Sequence, residues 1–231
     1  MRPSWNSIVV TDALVVLDMT RVLLVRHGQS IANCEKFFAG SLDSPLTALG
    51  VSQAELTAQY IANNYQVDGV YSSDLQRAYI TAKALANRIG QQVIALRDLR
   101  EINGGQWQGR KFEILPQMFP QSYGLWLSDI GNAACDGGES VAQMQSRVMN
   151  ALHRIVLDNP GKTVVIATHG TPIRSIQCAC EGKSLAQMKD VKWVSNASVS
   201  QLIFEDNRFR IEQISYDAHL GQLTSVLPAN C

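Results

Sequence analysis

The chain has 231 residues, carries 20 Lys and Arg against 20 Asp and Glu, and is 46% hydrophobic. That apolar content excludes an intrinsically disordered chain, and zero formal charge argues against a surface that neutralises many nucleic-acid phosphates at once. A small anionic ligand stays compatible, because two or three arginines make a local cationic pocket.

Two apolar runs lie within residues 1–18, but Asp12 and Asp18 interrupt them and no A-x-A pattern follows, so a secretory signal is not expected. Met19 stands directly before a strong strand. It reads as the natural start, with 1–18 as an extension, the rival being an extra edge strand; 19–231 then form a single domain. No stretch reaches the length of a membrane span. Cys34, Cys135, Cys178, Cys180 and Cys231 are odd in number and irregular in spacing, which predicts reduced thiols and a cytoplasmic location.

Arg21–Arg26 (Arg-Val-Leu-Leu-Val-Arg) predicts a strand buried on both faces of a parallel sheet. Thr47 is the expected N-cap of a helix reaching about Asn64, with Leu49, Gln53, Leu56, Tyr60 and Ile61 on one face. Asp68–Ser72 reads as a strand. Ser73-x-x-Gln76 has the form of a capping box opening a helix to Ile89, which Gly90 stops. Val93–Leu96 is a third strand. Residues 98–138 are rich in glycine, proline and aromatics, and read as an inserted lid at about 102–138. A helix from Ser140 to Leu157 follows, then a strand at Thr163–Thr168, a helix at Ile173–Cys180, and a hairpin of 198–204 with 209–214. Strands alternate with helices. The expected class is α/β, a three-layer α/β/α sandwich on a mixed, mostly parallel sheet.

Two strands end alike, in Arg26-His27-Gly28 and Thr168-His169-Gly170. Ligands of open α/β sheets bind beyond the carboxyl ends of strands, so both histidines could face one pocket, each glycine letting backbone approach a ligand. Arg77 falls in the first turn of a helix at the same rim. Arginine forks and helix N-termini both hold phosphate, and Arg26 adds a second fork. These residues point to a phosphoryl site with a histidine nitrogen as nucleophile.

Arg26-His27-Gly28-Gln29-Ser30 with Asn33 resembles the R-H-G-x-[TS]-x-x-N signature of the histidine phosphatase superfamily. That superfamily contains phosphoglycerate mutases, fructose-2,6-bisphosphatases, α-ribazole phosphatases and broad-specificity phosphatases. Asp43-Ser44-Pro45-Leu46-Thr47 with Gly50, Ser72–Ala78 with Thr81-Ala82, Leu99-Arg100-Glu101 with Gly105, Trp107 and Gly109, Gly138-Glu139-Ser140, and Thr168-His169-Gly170 resemble its further stations, in order. The resemblance implies a phosphoglycerate mutase-like fold and a catalytic domain. His27 would be the phosphoryl acceptor. Arg26, Arg77, His169 and Gly170 would bind the phosphoryl group, which Asn33 helps orient, and Glu101 would be the proton donor. It implies no metal and no cofactor. Gln108 stands where many relatives carry an acidic residue, and reads as a lost second carboxylate.

The function so implied is metal-independent hydrolysis of small phosphate monoesters through phosphohistidine. The alternative is a bisphosphoglycerate-dependent phosphoglycerate mutase, and a third reading is an inactive relative that binds phosphorylated ligands. The expected partner is a small phosphorylated metabolite, with neither nucleic acid nor membrane involved, and the chain is a monomer or homodimer. Phe37, Phe38 and Trp107 are the expected walls of the leaving-group pocket. Gly161-Lys162-Thr163 precedes a strand and lacks the first glycine of a P-loop, so it reads as a turn. His153 reads as a solvated helix residue and His219 as a surface residue. Arg174 either adds charge near the site or forms a structural salt bridge.

Overall fold

The structure is a computed structural model that describes residues 19–225; the expectation of an extension at 1–18 falls outside them. Six strands form one sheet: β1 Thr20–Arg26, β2 Gly69–Ser73, β3 Val93–Leu96, β4 Thr163–Thr168, β5 Val199–Glu205 and β6 Arg208–Tyr216. Their order is β3-β2-β4-β1-β5-β6. β1 to β4 run parallel, and β5 is antiparallel to both β1 and β6. The α-helices of the described residues are α1 Ile31–Glu35, α2 Ala48–Asn64, α3 Gln76–Ile89, α4 Leu115–Met118, α5 Pro120–Ser128, α6 Val141–Leu157 and α7 Gly170–Cys180.

Alternation along the central strands builds the three layers. Val22 and Leu24 of β1, with Val164 and Ile166 of β4, enter one apolar cluster. Leu23 and Val25, with Val165 and Ala167, enter the other. Neighbouring strand residues point to opposite faces, so these continuous apolar runs need cover on both sides. α6 and α7 cover the first face through Met144, Val148, Leu152, Ile173 and Ile176. α2 and α3 cover the second through Ala58, Ile61, Ala82 and Leu85. Each fully buried Leu or Val contributes roughly 1.5–3 kcal/mol before the entropy cost of ordering.

Three local expectations are corrected. On α2 the buried face is Gln53, Ala54, Thr57, Ala58 and Ile61, while Leu49, Leu56 and Tyr60 are only half-buried; small residues here and at Ala78, Ala82 and Ala86 of α3 let the two helices approach. The capping box at Ser73 does not form. α3 begins at Gln76, and its first N–H donates to the Asp43 carboxylate at 2.7 Å. α7 begins at Gly170 rather than Ile173, because Pro172 fits its first turn, where no intrahelical N–H bond is required. The expected caps at Thr47 and Ser140 do form, and Gly90 ends α3 at φ +71°. The closing hairpin is present; Asp206 and Asn207 take positive φ of 49° and 58°, as a two-residue type I′ loop requires.

Segment 102–138 holds α4, α5 and short 3₁₀ turns around an aromatic cluster. Trp107 is fully buried there, with ring centroids 5.4 Å from Phe38, 5.4 Å from Tyr123 and 5.7 Å from Trp126. Its indole N–H donates to Asp136 at 2.9 Å. Trp107→Ala removes both packing and a buried hydrogen bond, and is expected to cost roughly 3–5 kcal/mol of unfolding free energy, measured by urea denaturation. A loss under about 1 kcal/mol would show this cluster to be loosely packed.

Candidate active site

β1 and β4 are neighbours, and their last residues, Arg26 and Thr168, stand in register. His27 and His169 therefore leave the sheet side by side. Their ring centroids are 5.2 Å apart, edge to face. The glycine after His27 serves packing rather than ligand approach: a Cβ on Gly28 would come 2.3 Å from the Gly50 carbonyl oxygen at the start of α2.

Nδ1 of His27 lies 2.7 Å from the Gly28 carbonyl oxygen. A carbonyl only accepts, so neutral His27 carries its proton on Nδ1 and its lone pair on Nε2. Burial, then the charges of Arg77 and Arg26, hold its pKa well below the ordinary histidine value; the Gly28 carbonyl opposes this in part. His169 is fully buried and likewise depressed, by burial first and then by Arg77. Its Nε2 is 2.8 Å from Ser73 Oγ, which already accepts the Leu75 N–H. The Ser73 hydroxyl can then donate to Nε2, leaving the His169 proton on Nδ1. That nitrogen has no partner among the described residues, an orphaned buried donor beside His27.

The cationic groups are fixed by backbone. Arg77, 1% exposed, donates through its two terminal nitrogens to the Leu42 and Gly40 carbonyls, each at 2.8 Å. Burial lowers its pKa to about 10, against the opposing charges of Glu101 and Asp43, so it stays protonated at neutral pH. Five donors and two such bonds leave Arg77 N–H groups for a ligand. Arg26 donates to the Val194 carbonyl at 2.5 Å. Asn33 Oδ1 accepts from Ser30 N–H, Ser30 O–H and Asn196 Nδ2, at 3.1, 3.0 and 3.2 Å. This leaves its Nδ2 as the donor end at the pocket. Glu101 Oε1 accepts from Ile102 N–H at 2.9 Å and Oε2 from Thr171 N–H at 3.2 Å.

These groups meet in one pocket. Arg26, His27, Asn33, Arg77, Glu101 and Gly170 line its polar end, and Phe37, Phe38, Phe112, Trp126 and Trp193 wall the rest. Among the described residues no three His, Cys, Asp or Glu side chains gather as a metal site. The arrangement offers a lone-pair nitrogen among fixed cations and donors, with one carboxyl group at the same pocket. Such a set has the charge and donors that a phosphoryl group requires.

The histidine phosphatase superfamily (branch 1) matches residues 22–217. The chain belongs to this superfamily. As a histidine phosphatase it is 32% identical to phosphoserine phosphatase 1 of Hydrogenobacter thermophilus, over 88% of this chain and 96% of that one. It is 30% identical to a metal-independent phosphoserine phosphatase of Arabidopsis thaliana, over 92% of this chain and 88% of the other. Among solved structures, mycobacterial glucosyl-3-phosphoglycerate phosphatase superposes with a TM-score of 0.77 at 30% identity, covering 85% of this chain and 99% of that one.

Several expectations need correcting. Trp107 does not line the pocket of this histidine phosphatase; it lies behind Phe38, in the core of the 102–138 segment. Gln108, standing in place of a second carboxylate, also clamps the backbone, its Oε1 accepting from Ser41 N–H at 2.7 Å and Gly104 N–H at 3.1 Å. The N-terminus of α3, expected to hold phosphate, is already capped by Asp43, and the helix that opens onto the site is α7. His219 is not a free surface group, being stacked on Tyr60 at 4.8 Å and bonded to Thr57 at 2.9 Å. His153 is half-buried against Phe209. Arg174 makes neither the pocket lining nor a salt bridge: it donates to the Val191 and Lys189 carbonyls and backs the Trp193 ring at 4.6 Å.

Sequence reasoning missed Trp193 and Asn196, which sit in a loop without a motif, and Arg147 of α6. Arg147 donates to the Asp98, Arg100 and Glu101 carbonyls while its fork holds the Glu139 carboxylate. It thereby fixes the turn that presents Glu101. The Gly138-Glu139-Ser140 station was the available signal, since Glu139 also accepts the Asn103 N–H at 2.7 Å.

The two depressed histidines give a pH signature. In the unfolded chain they titrate near the ordinary value of 6.5; folded, they stay neutral to lower pH. Between those values the unfolded state binds more protons, so stability is complete above about pH 6.5 and falls as pH drops toward the folded values. The expected slope is up to about 1.4 kcal/mol per pH unit for each histidine. Urea denaturation at pH 7.5 and 5.5, with His169→Gln as the comparison, should show a shallower pH dependence in the variant. Equal slopes would mean that His169 titrates normally.

Proposed function

We propose that this histidine phosphatase hydrolyses small phosphate monoesters in two steps through phosphohistidine on His27. The observation that carries the reading is the His27 tautomer: Nδ1 tied to a carbonyl, and Nε2 left as an unprotonated nitrogen among Arg26, Arg77 and Asn33. In the first step Nε2 attacks phosphorus, the P–O ester bond breaks, and Glu101 gives a proton to the departing alcohol. In the second, water attacks phosphorus, the P–N bond breaks, and the Glu101 carboxylate takes the water's proton. Splitting one displacement into two suits a neutral imidazole. Arg26, Arg77 and the orphaned donor of His169 offset the charge on the transferring group. No metal and no cofactor enters the scheme.

The names of the relatives support hydrolysis over a phosphoglycerate mutase. We read 19–231 as one catalytic domain with 102–138 as its lid, working as a monomer or homodimer on a phosphorylated metabolite. Cys34, Cys135, Cys178 and Cys180 are free thiols, which supports a cytoplasmic setting, and no described helix is long and apolar enough to cross a membrane. The test is p-nitrophenyl phosphate with EDTA, then 3-phosphoglycerate with and without 2,3-bisphosphoglycerate. Phosphate release unaffected by EDTA is expected. Isomerisation that needs bisphosphoglycerate would replace this reading with the mutase.

A further inference from the structure

We infer that the preferred substrates are phosphate esters of uncharged, carbon-rich alcohols rather than phosphorylated amino or hydroxy acids; this rests on the phosphatase reading above. Every ionisable group lining the pocket already has a part in phosphoryl transfer: Arg26, His27, Arg77 and Glu101. Beyond them the large lining side chains are aromatic, the rest being small or neutral residues such as Ser30, Asn33 and Thr171, and no lining lysine or further arginine could receive a second anionic group. Phe38 packs edge-on against Trp126 at 5.4 Å and Phe112 at 6.2 Å, so this side is a continuous ring surface. Trp193 also lines the pocket. Arg174 stands behind Trp193, with Nε and one terminal nitrogen on the Val191 and Lys189 carbonyls, and it is not among the residues that line the pocket. It stiffens the wall and presents no charge within it. Lys36, Arg110 and Lys111 neighbour Phe37 and Phe112 in sequence, and none of them lines the pocket.

The chemistry of the ester makes this restriction matter. In phosphoserine the carbon bearing both ammonium and carboxylate lies two bonds from the ester oxygen. With phosphorus at His27 Nε2, both charges lie among the pocket's lining side chains. Glu101 holds the leaving-group proton at this step and so offers the ammonium no anion, and the carboxylate finds no lining cation beyond Arg26 and Arg77. Burying an unpaired carboxylate against aromatic carbon is strongly unfavourable. A flat or aliphatic alcohol instead gains by leaving water between the rings.

Benzyl phosphate and phosphoserine test this, both being esters of primary alcohols. The electron-withdrawing groups of phosphoserine make its alkoxide the better leaving group, so any preference for benzyl phosphate reports the walls. We expect kcat/KM for benzyl phosphate at least tenfold above that for phosphoserine and for 3-phosphoglycerate. Trp193→Ala and Phe37→Ala should each lower the benzyl-to-methyl phosphate ratio about tenfold. A wild-type preference for phosphoserine or 3-phosphoglycerate overturns the inference, as does a ratio that neither variant moves. Hydrolysis of p-nitrophenyl phosphate with labelling of His27 is read in parallel. If that persists while phosphoserine wins, only the substrate class fails; if His27 is never labelled, the phosphatase mechanism fails with it.

Discussion

Replacing His27 by alanine is expected to lower kcat by about 10⁴-fold or more, with inorganic phosphate still bound within a few-fold of wild type. The two halves of this result come from different residues. Among the described lining residues, His27 Nε2 is the nitrogen with a free lone pair, because Nδ1 is committed to the Gly28 carbonyl. Without it the covalent route closes, and water must displace the alcohol directly at a site not arranged to activate it. The anion receptor survives, since Arg77 is held by Leu42 and Gly40, and Asn33 by Ser30 and Asn196. Calorimetric titration with phosphate and steady-state assay of p-nitrophenyl phosphate separate the two. The acid-labile adduct trapped in the wild type should map to the peptide holding His27 and be missing from His27→Ala. An alanine variant that still accumulates the adduct would move the nucleophile to another residue.

The sequence disclosed those features that depend on short-range chemistry. Continuous apolar runs at Val22–Val25 and Val164–Ala167 require cover on both faces, so the layered sheet follows from them. Two histidines at strand ends share a pocket only if their strands are neighbours; the register of Arg26 with Thr168 supplies that, and it involves residues 142 positions apart that no local pattern links. The failures share a cause. Ser73 looks like a helix cap because its spacing to Gln76 fits, but two distant groups compete: Asp43 takes the helix N–H and His169 takes the hydroxyl. Trp107 looks like a pocket wall because it lies close in sequence to Glu101. A ring of that size surrounded by Phe38, Tyr123 and Trp126 is drawn into the segment's own core instead. Trp193, Asn196 and Arg147 reach the site through loop placement and helix rotation, which only the folded chain defines.

Glu101→Gln should divide substrates by leaving group. The amide keeps the size of the carboxyl, but one end becomes a donor and must face the N–H of Ile102 or Thr171, both of which need an acceptor. More important, it has no proton to release. An alkoxide leaving without a proton is a poor leaving group, so the first turnover on benzyl or methyl phosphate should slow by about 10²- to 10⁴-fold. p-Nitrophenolate is stable as an anion and departs unaided, so its first turnover should slow by less than about tenfold. The second step is common to both substrates and also needs Glu101, now to take the proton of the attacking water. In the variant, p-nitrophenyl phosphate should therefore give a rapid burst of one nitrophenolate per active site, followed by a slow steady state, while the alkyl esters give no burst. Stopped-flow absorbance and quenched-flow phosphate release distinguish these phases. Equal slowing of the first turnover on aryl and alkyl esters would remove Glu101 from the role of acid, and a fast steady state after the burst would remove it from the role of base. Arg147 provides the control on position, because Arg147→Met frees the turn that presents Glu101 while leaving its carboxyl chemistry intact. That variant should slow alkyl esters more than aryl ones, with the same sign as Glu101→Gln and a smaller size.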